Sequence, residues 1–235
     1  MIWALHGAFG SSKDWKQFEG QLGMEVRALD LWQDKYALDF WSFAKKLNQE
    51  VKAQDSNPII LGYSMGGRLA MHCLIENPKL WKAAIIVSAN AGIKEEERPA
   101  RRENDLAWLK KFRDLSPADF IEEWNSQPVL GKSSATITKD NAKSVLNSSM
   151  ERGLREWSVS NQDLLEVENI SCPTLLMAGK KDPKYQGLAE KLNKRIKGSS
   201  LEILDTGHRV PWDRPENFLE RLSLFLTTKC QFQTF

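Results

Sequence analysis

Gly62-Tyr63-Ser64-Met65-Gly66 sets a serine between two glycines, with the apolar run Ile59-Ile60-Leu61 before it and helix-leaning sequence after it. A serine hydroxyl is inert at neutral pH unless a neighbour takes its proton. A sharp strand-to-helix turn projects Oγ above the strand in a strained backbone conformation. It also aims the free N–H groups and positive dipole end of the helix at developing negative charge. Side chains at 62 and 66 would collide in such a turn, so glycine is required at both. The proton acceptor is found by elimination among three histidines. His6 belongs to an early turn and His72 to the helix after Ser64, which leaves His208, in Asp205-Thr206-Gly207-His208 after the last strand candidate. A histidine base needs a carboxylate to fix its tautomer and stabilise its cation. Asp182, in Gly179-Lys180-Lys181-Asp182-Pro183, is favoured over Asp205, which stands too close in sequence to His208 to reach its far ring nitrogen comfortably. Lys180, Lys181 and Lys184 around Asp182 would help keep it ionised.

Negative charge that develops on substrate needs preorganised donors. Leu5-His6-Gly7-Ala8-Phe9-Gly10 follows the first strand candidate, and the backbone N–H of Ala8 or Phe9, together with that of Met65, is the expected oxyanion pair. The His6 ring is expected to order this loop without touching substrate. Cys73, Cys172 and Cys230 form no C-x-x-C and no ligand cluster, so neither a metal nor an organic cofactor is expected. Their sparse, odd number fits a reducing cytoplasm. Cys73 and Cys172 read as small buried apolar residues.

These groups need a scaffold that brings loop ends together. Strand candidates are Ile2–Leu5, Val26–Leu29, Pro58–Tyr63, Ala83–Ser88, Thr174–Gly179 and Leu201–Leu204; helix candidates are Asp39–Gln54, Ser64–Glu76, Lys184–Ile196 and Pro215–Thr228. The alternation is that of βαβ units, and continuous apolar runs such as Ala84-Ile85-Ile86-Val87 mark strands buried on both faces. In the helix after Ser64, Leu69, Cys73 and Leu74 repeat at helical spacing, and Asn77-Pro78 stops it. The expected fold is α/β, a doubly wound, mainly parallel sheet of about six strands. Residues 93–160 break the alternation with charged, helix-leaning sequence that contains Trp108, Trp124 and Trp157. This stretch reads as a helical lid over the C-terminal strand ends, with residues 1–92 and 161–235 as the core.

Bulk properties exclude several classes. A chain of 235 residues is enough for one large α/β domain, and 41% hydrophobic with 27% charged residues is globular rather than disordered. The net charge of +2 gives no reason to expect a nucleic acid or an anionic membrane as partner. No apolar run approaches the roughly 20 residues of a bilayer span, and the first residues lack the pattern of a signal peptide.

The His6-Gly7 turn, Gly62-Tyr63-Ser64-Met65-Gly66-Gly67-Arg68, Gly179-Lys180-Lys181-Asp182 and the His208, Asp213, Pro215 ending resemble the α/β-hydrolase superfamily along most of the chain. A closer resemblance is to the 2-succinyl-6-hydroxy-2,4-cyclohexadiene-1-carboxylate synthases of menaquinone biosynthesis. It rests on Arg68 after Ser-Met-Gly-Gly, on Arg101-Arg102-Glu103-Asn104-Asp105 following Glu95-Glu96-Glu97-Arg98, and on Glu123-Trp124-Asn125-Ser126-Gln127-Pro128-Val129. The resemblance implies a triad serine acting as base, elimination of pyruvate, and a carboxylate-bearing small-molecule substrate. It also implies that Arg68 and Arg101 bind carboxylates and that Tyr63 and Trp124 form apolar walls; a bidentate guanidinium suits that task. Where the family has a further lid arginine, Leu146-Asn147-Ser148 stands here, so Arg152 or Arg155 would have to substitute. The usual N-terminal antiparallel hairpin of the fold is also missing, the sequence starting at the equivalent of its third strand. A carboxylesterase or thioesterase working through a Ser64 acyl-enzyme, and a non-catalytic binder, are the competing readings; the intact Ser64, Asp182 and His208 speak against the last.

Overall fold

A computed structural model describes residues 1–135 and 148–230, apart from the side chains of Ser148, Ser149, Arg152 and Cys230. Its centre is a six-stranded sheet of β1 (Ile2–Leu5), β2 (Val26–Leu29), β3 (Ile59–Tyr63), β4 (Ala83–Val87), β5 (Thr174–Gly179) and β6 (Ser200–Leu204) in the order β2-β1-β3-β4-β5-β6. Each neighbouring pair is parallel. The strand candidates therefore match to within a residue at either end. Period-two geometry explains why the central strands are apolar throughout. Ile60, Ala84 and Ile86 enter the core on one face, while Ile59, Leu61, Ala83, Ile85 and Val87 enter the core on the other.

Helices cover both faces. One face carries α1 (Phe40–Gln54) and α2 (Met65–Glu76), which contribute Phe43, Leu47, Leu69 and Leu74. Asp39, read as the first residue of α1, is its N-cap and accepts from the N–H groups of Trp41 (2.9 Å) and Ser42 (3.0 Å). Among the described residues, three α-helices lie between β4 and β5: α3 (Arg98–Asp114), α4 (Pro117–Ser126) and α5 (Ser148–Glu156). After β5 comes α6 (Pro183–Arg195), then a short α7 (Val210–Asp213) and α8 (Pro215–Cys230). The opposite face is packed by Phe218, Leu222, Phe225 and Leu226 of α8. Trp15 and Phe18 join them from a 3-10 segment at Ser12–Phe18, which is not among the helix candidates. That segment and α7 are too short to show a helical period.

In α3 the sole buried residue is Leu109. Trp108 and Phe112 pack half-buried against the core, and charge pairs lie along the surface, Arg101–Asp105 and Lys110–Asp114 within the helix, Lys111–Glu123 to α4 and Arg113–Glu151 to α5. No helix among the described residues is long and apolar enough to cross a membrane.

Candidate active site

Ser64 stands on the turn between β3 and α2 with φ 53 and ψ −110, a conformation that non-glycine residues avoid. Its N–H donates to the Val87 carbonyl of β4 (2.9 Å), which ties the turn to the next strand. A Cβ at Gly62 would lie 2.5 Å from the Gly66 carbonyl oxygen, and one at Gly66 would overlap the Leu5 carbonyl. The glycine spacing thus reflects backbone against backbone. Met65 is the first residue of α2, where N–H groups have no partner within the helix. Ala8 and Phe9 line the same cavity as Met65, and Phe9 takes φ 57.

The structure brings Ser64, His208 and Asp182 together although they are far apart in the chain. An ionised carboxylate only accepts, so His208 Nδ1 donates to Asp182 Oδ2 (2.7 Å), and the Ser64 hydroxyl donates to the free Nε2 (3.2 Å). Asp182 and His208 are almost wholly buried. Asp182 also caps α6, accepting from the Tyr185 N–H (3.2 Å). Asp205 is exposed and 3.4 Å from Lys181 Nζ. The histidine is fixed from several sides. Ser88 Oγ donates to its carbonyl (2.9 Å), Tyr185 meets its ring edge-on at 4.4 Å, and Tyr63 packs at 5.5 Å. A hydroxyl in this chain of bonds can pass its proton to His208 as its oxygen attacks carbon or removes a proton from it.

His6 takes no part in that chain. Its Nδ1 donates to the Gly7 carbonyl (2.8 Å), and Nε2 accepts from the Leu31 N–H (3.1 Å). Complete burial pushes its pKa down to about 4, so the ring is neutral and orders the loop. His72 is likewise driven to about 4 by burial, stacked on Phe40 with its Nδ1 on the Arg68 carbonyl.

Above Ser64 opens a cavity of about 600 Å³. Tyr63 and Trp124 line it, with Trp124 edge-on to Phe9 (4.4 Å) and Trp108 (5.0 Å). Arg68 lines it from α2 and Arg101 from α3. Arg68 Nη1 donates to the Trp157 carbonyl (2.6 Å), and among the described residues it has no carboxylate partner. Burial, then the nearby charge of Arg101, lowers its pKa to about 10. Arg101 is shared with Asp105 (Nε to Oδ1, 2.8 Å), which in turn accepts from Ser158. Arg155 lies outside the cavity wall, paired with Glu156 (3.3 Å), so it does not stand in for a lid arginine. Leu146, Asn147 and the Arg152 side chain lie outside the described residues. Tyr185, Trp212 and Arg209 line the cavity as well and were not singled out from sequence. Only adjacence to Asp182 and His208 could have pointed to Tyr185 and Arg209. Among the described residues no group of histidine, cysteine or acidic side chains could hold a metal.

A strained serine turn at the C-terminal edge of a parallel sheet, joined to a histidine and a buried aspartate, belongs to one class of folds. The model of the alpha/beta hydrolase family matches residues 4–221, and the chain belongs to that family. It is 32% identical over 204 residues to a Haemophilus influenzae protein provisionally named 2-succinyl-6-hydroxy-2,4-cyclohexadiene-1-carboxylate synthase, covering 79% of this chain and 82% of the relative. The Serratia proteamaculans synthase of that name is 28% identical, over 96% of this chain and 92% of its own length. Among solved structures, MenH from S. aureus superposes with a TM-score of 0.85 at 23% identity, covering 97% of this chain and 93% of that one. An esterase from Exiguobacterium antarcticum reaches 0.74 at 18% identity, covering 97% and 91%. The chain is an enzyme of this family, similar over most of its length to 2-succinyl-6-hydroxy-2,4-cyclohexadiene-1-carboxylate synthases.

Proposed function

We propose that this enzyme eliminates pyruvate from a polycarboxylate precursor of menaquinone, as a 2-succinyl-6-hydroxy-2,4-cyclohexadiene-1-carboxylate synthase does. The observation that carries the reading is the pairing of a hydrogen-bonded Ser64–His208–Asp182 chain with an arginine-walled cavity, in which half-buried Arg68 has no carboxylate hydrogen-bond partner among the described residues. Burying a guanidinium without a counter-ion is costly, so such a wall implies an anionic ligand.

In this mechanism Ser64 Oγ takes a proton from a substrate carbon while its own proton passes to His208 Nε2. Asp182 stabilises the resulting imidazolium. The electrons of the broken C–H bond form a ring double bond and expel the enolpyruvyl oxygen, and the departing enolate takes up a proton to become pyruvate. The backbone N–H groups of Met65 and of Ala8 or Phe9 stabilise oxyanion charge, Arg68 and Arg101 hold carboxylates, and Tyr63 and Trp124 supply apolar walls. Residues 93–160 act as the lid that shapes the cavity, and the enzyme works in the cytoplasm on a free small molecule.

One observation favours a second reading. The same Ser64–His208 geometry (3.2 Å) also suits nucleophilic attack, which makes a carboxylesterase or thioesterase the alternative. Purified protein is to be assayed for pyruvate release from the menaquinone precursor beside hydrolysis of short p-nitrophenyl esters. Pyruvate release at the higher kcat/KM supports the synthase; turnover of esters alone discards it.

A further inference from the structure

We propose that Arg209 is a second anion-binding pole of the cavity, separate from the Arg68–Arg101 pair, and that the ligand presents two spaced carboxylates, one to each pole. The inference rests on the reading of the Ser64 cavity as a carboxylate site, and extends it to a residue and a charge spacing that reading does not include. Arg209 follows His208 directly, lines the cavity, and is only 6% exposed. Its guanidinium carries five N–H donors in a planar fork. It donates to the Ala135 carbonyl (2.7 Å) and to Asn125 Oδ1 (2.8 Å), both neutral. No carboxylate among the described residues forms an ion pair with it.

Asp14 lines the same cavity but accepts instead from the N–H (3.0 Å) and hydroxyl (3.3 Å) of Ser11. Burial raises the Asp14 carboxyl, with the charge of Arg209 only a minor opposing influence, so Asp14 is no committed counter-ion. A charge taken out of water and left against neutral groups is the condition that an incoming anion relieves. Arg68 likewise has no carboxylate hydrogen-bond partner among the described residues, and it is tethered elsewhere: it donates to the Trp157 carbonyl, with Arg101 and Asp105 nearby, whereas Arg209 donates to Ala135 and Asn125. Two cationic poles imply two anionic groups on one ligand, and their separation selects for its length.

The test is binding, followed by calorimetry and by cavity tryptophan fluorescence, of acetate, succinate, adipate and suberate to the full chain. Wild-type protein should bind one of the dicarboxylates at least about 10-fold tighter than acetate, the size expected of one charge-assisted bond. Arg209→Gln should erase that preference, whereas Arg209→Lys, which keeps the charge but not the fork, should retain most of it. Asn125→Ala, which removes a tether of Arg209 and no charge, should also retain it. If wild-type protein shows no dicarboxylate preference, or folded Arg209→Gln keeps it, the second pole is overturned. Should Arg209→Gln fail to fold, a folded Arg209→Lys that loses the preference overturns it equally. These titrations need no turnover, so absence of pyruvate release would sink the synthase reading while leaving the pole to be judged on binding alone.

Discussion

Removing the Ser64 hydroxyl removes the group that the strained turn exists to present. Ser64→Ala should fold with unchanged thermal stability and lose kcat by about 10³-fold or more, with residual rate from binding and backbone donors. A variant retaining a tenth of wild-type kcat on the true substrate would show that another group does the chemistry. Asp182→Asn should cost far more than Asp205→Asn, because the former sits 2.7 Å from His208 Nδ1 and the latter faces Lys181 at the surface. Comparing kcat for the two folded variants decides this. Arg68→Ala should lower kcat/KM for a carboxylate substrate by roughly 10–100-fold. At this scale the sequence was informative where a residue type is scarce or its spacing is forced. Three histidines allow elimination, and glycines at 62 and 66 leave little choice. Arg209 was illegible because arginine is common, and Tyr185 because no spacing marks it; only the fold turns both into the cavity.

Elements obey the same logic of contact. The turn at Ser64 and the loop after β1 touch through backbone, since Gly66 sits under the Leu5 and His6 carbonyls. Gly66→Ala should therefore destabilise by about 1–3 kcal/mol through overpacking. That corresponds to a drop in Tm of roughly 2–4 °C per kcal/mol for a chain of this size. A thermal melt of the variant checks it, and an unchanged Tm would mean the turn has slack that the geometry denies. The central strands were legible because burial on both faces leaves uninterrupted apolar runs. The capped helices were legible because Asp39 and Asp182 precede periodic sequence. The insertion could be recognised as helical but not assembled from sequence. Its α3 fully buries only Leu109 and packs Trp108 and Phe112 half-buried, which leaves a weak periodic signature.

For the molecule as a whole, two buried neutral histidines set its response to acid. His6 and His72 fall to about 4 from an ordinary 6.5. Between those values the unfolded chain binds more protons than the folded one, so stability is full above about pH 6.5 and declines as pH falls toward 4. Each ring contributes on the order of 3 kcal/mol to that loss. Wild-type Tm should thus drop between pH 7 and pH 5, and His72→Gln should show a smaller drop; equal drops would remove His72 as a source. The strand order β2-β1-β3-β4-β5-β6 also bears on how the chain is made. During synthesis β1 to β4 can pair early, but β5 begins only at Thr174, after the whole insertion. Until then the Ala83–Val87 edge, apolar on both faces, has no neighbour, the situation in which nascent chains stick to one another. A ribosome stalled within the insertion should therefore hold a nascent chain that recruits holdase chaperones, and release of β5 from the exit tunnel should end that recruitment.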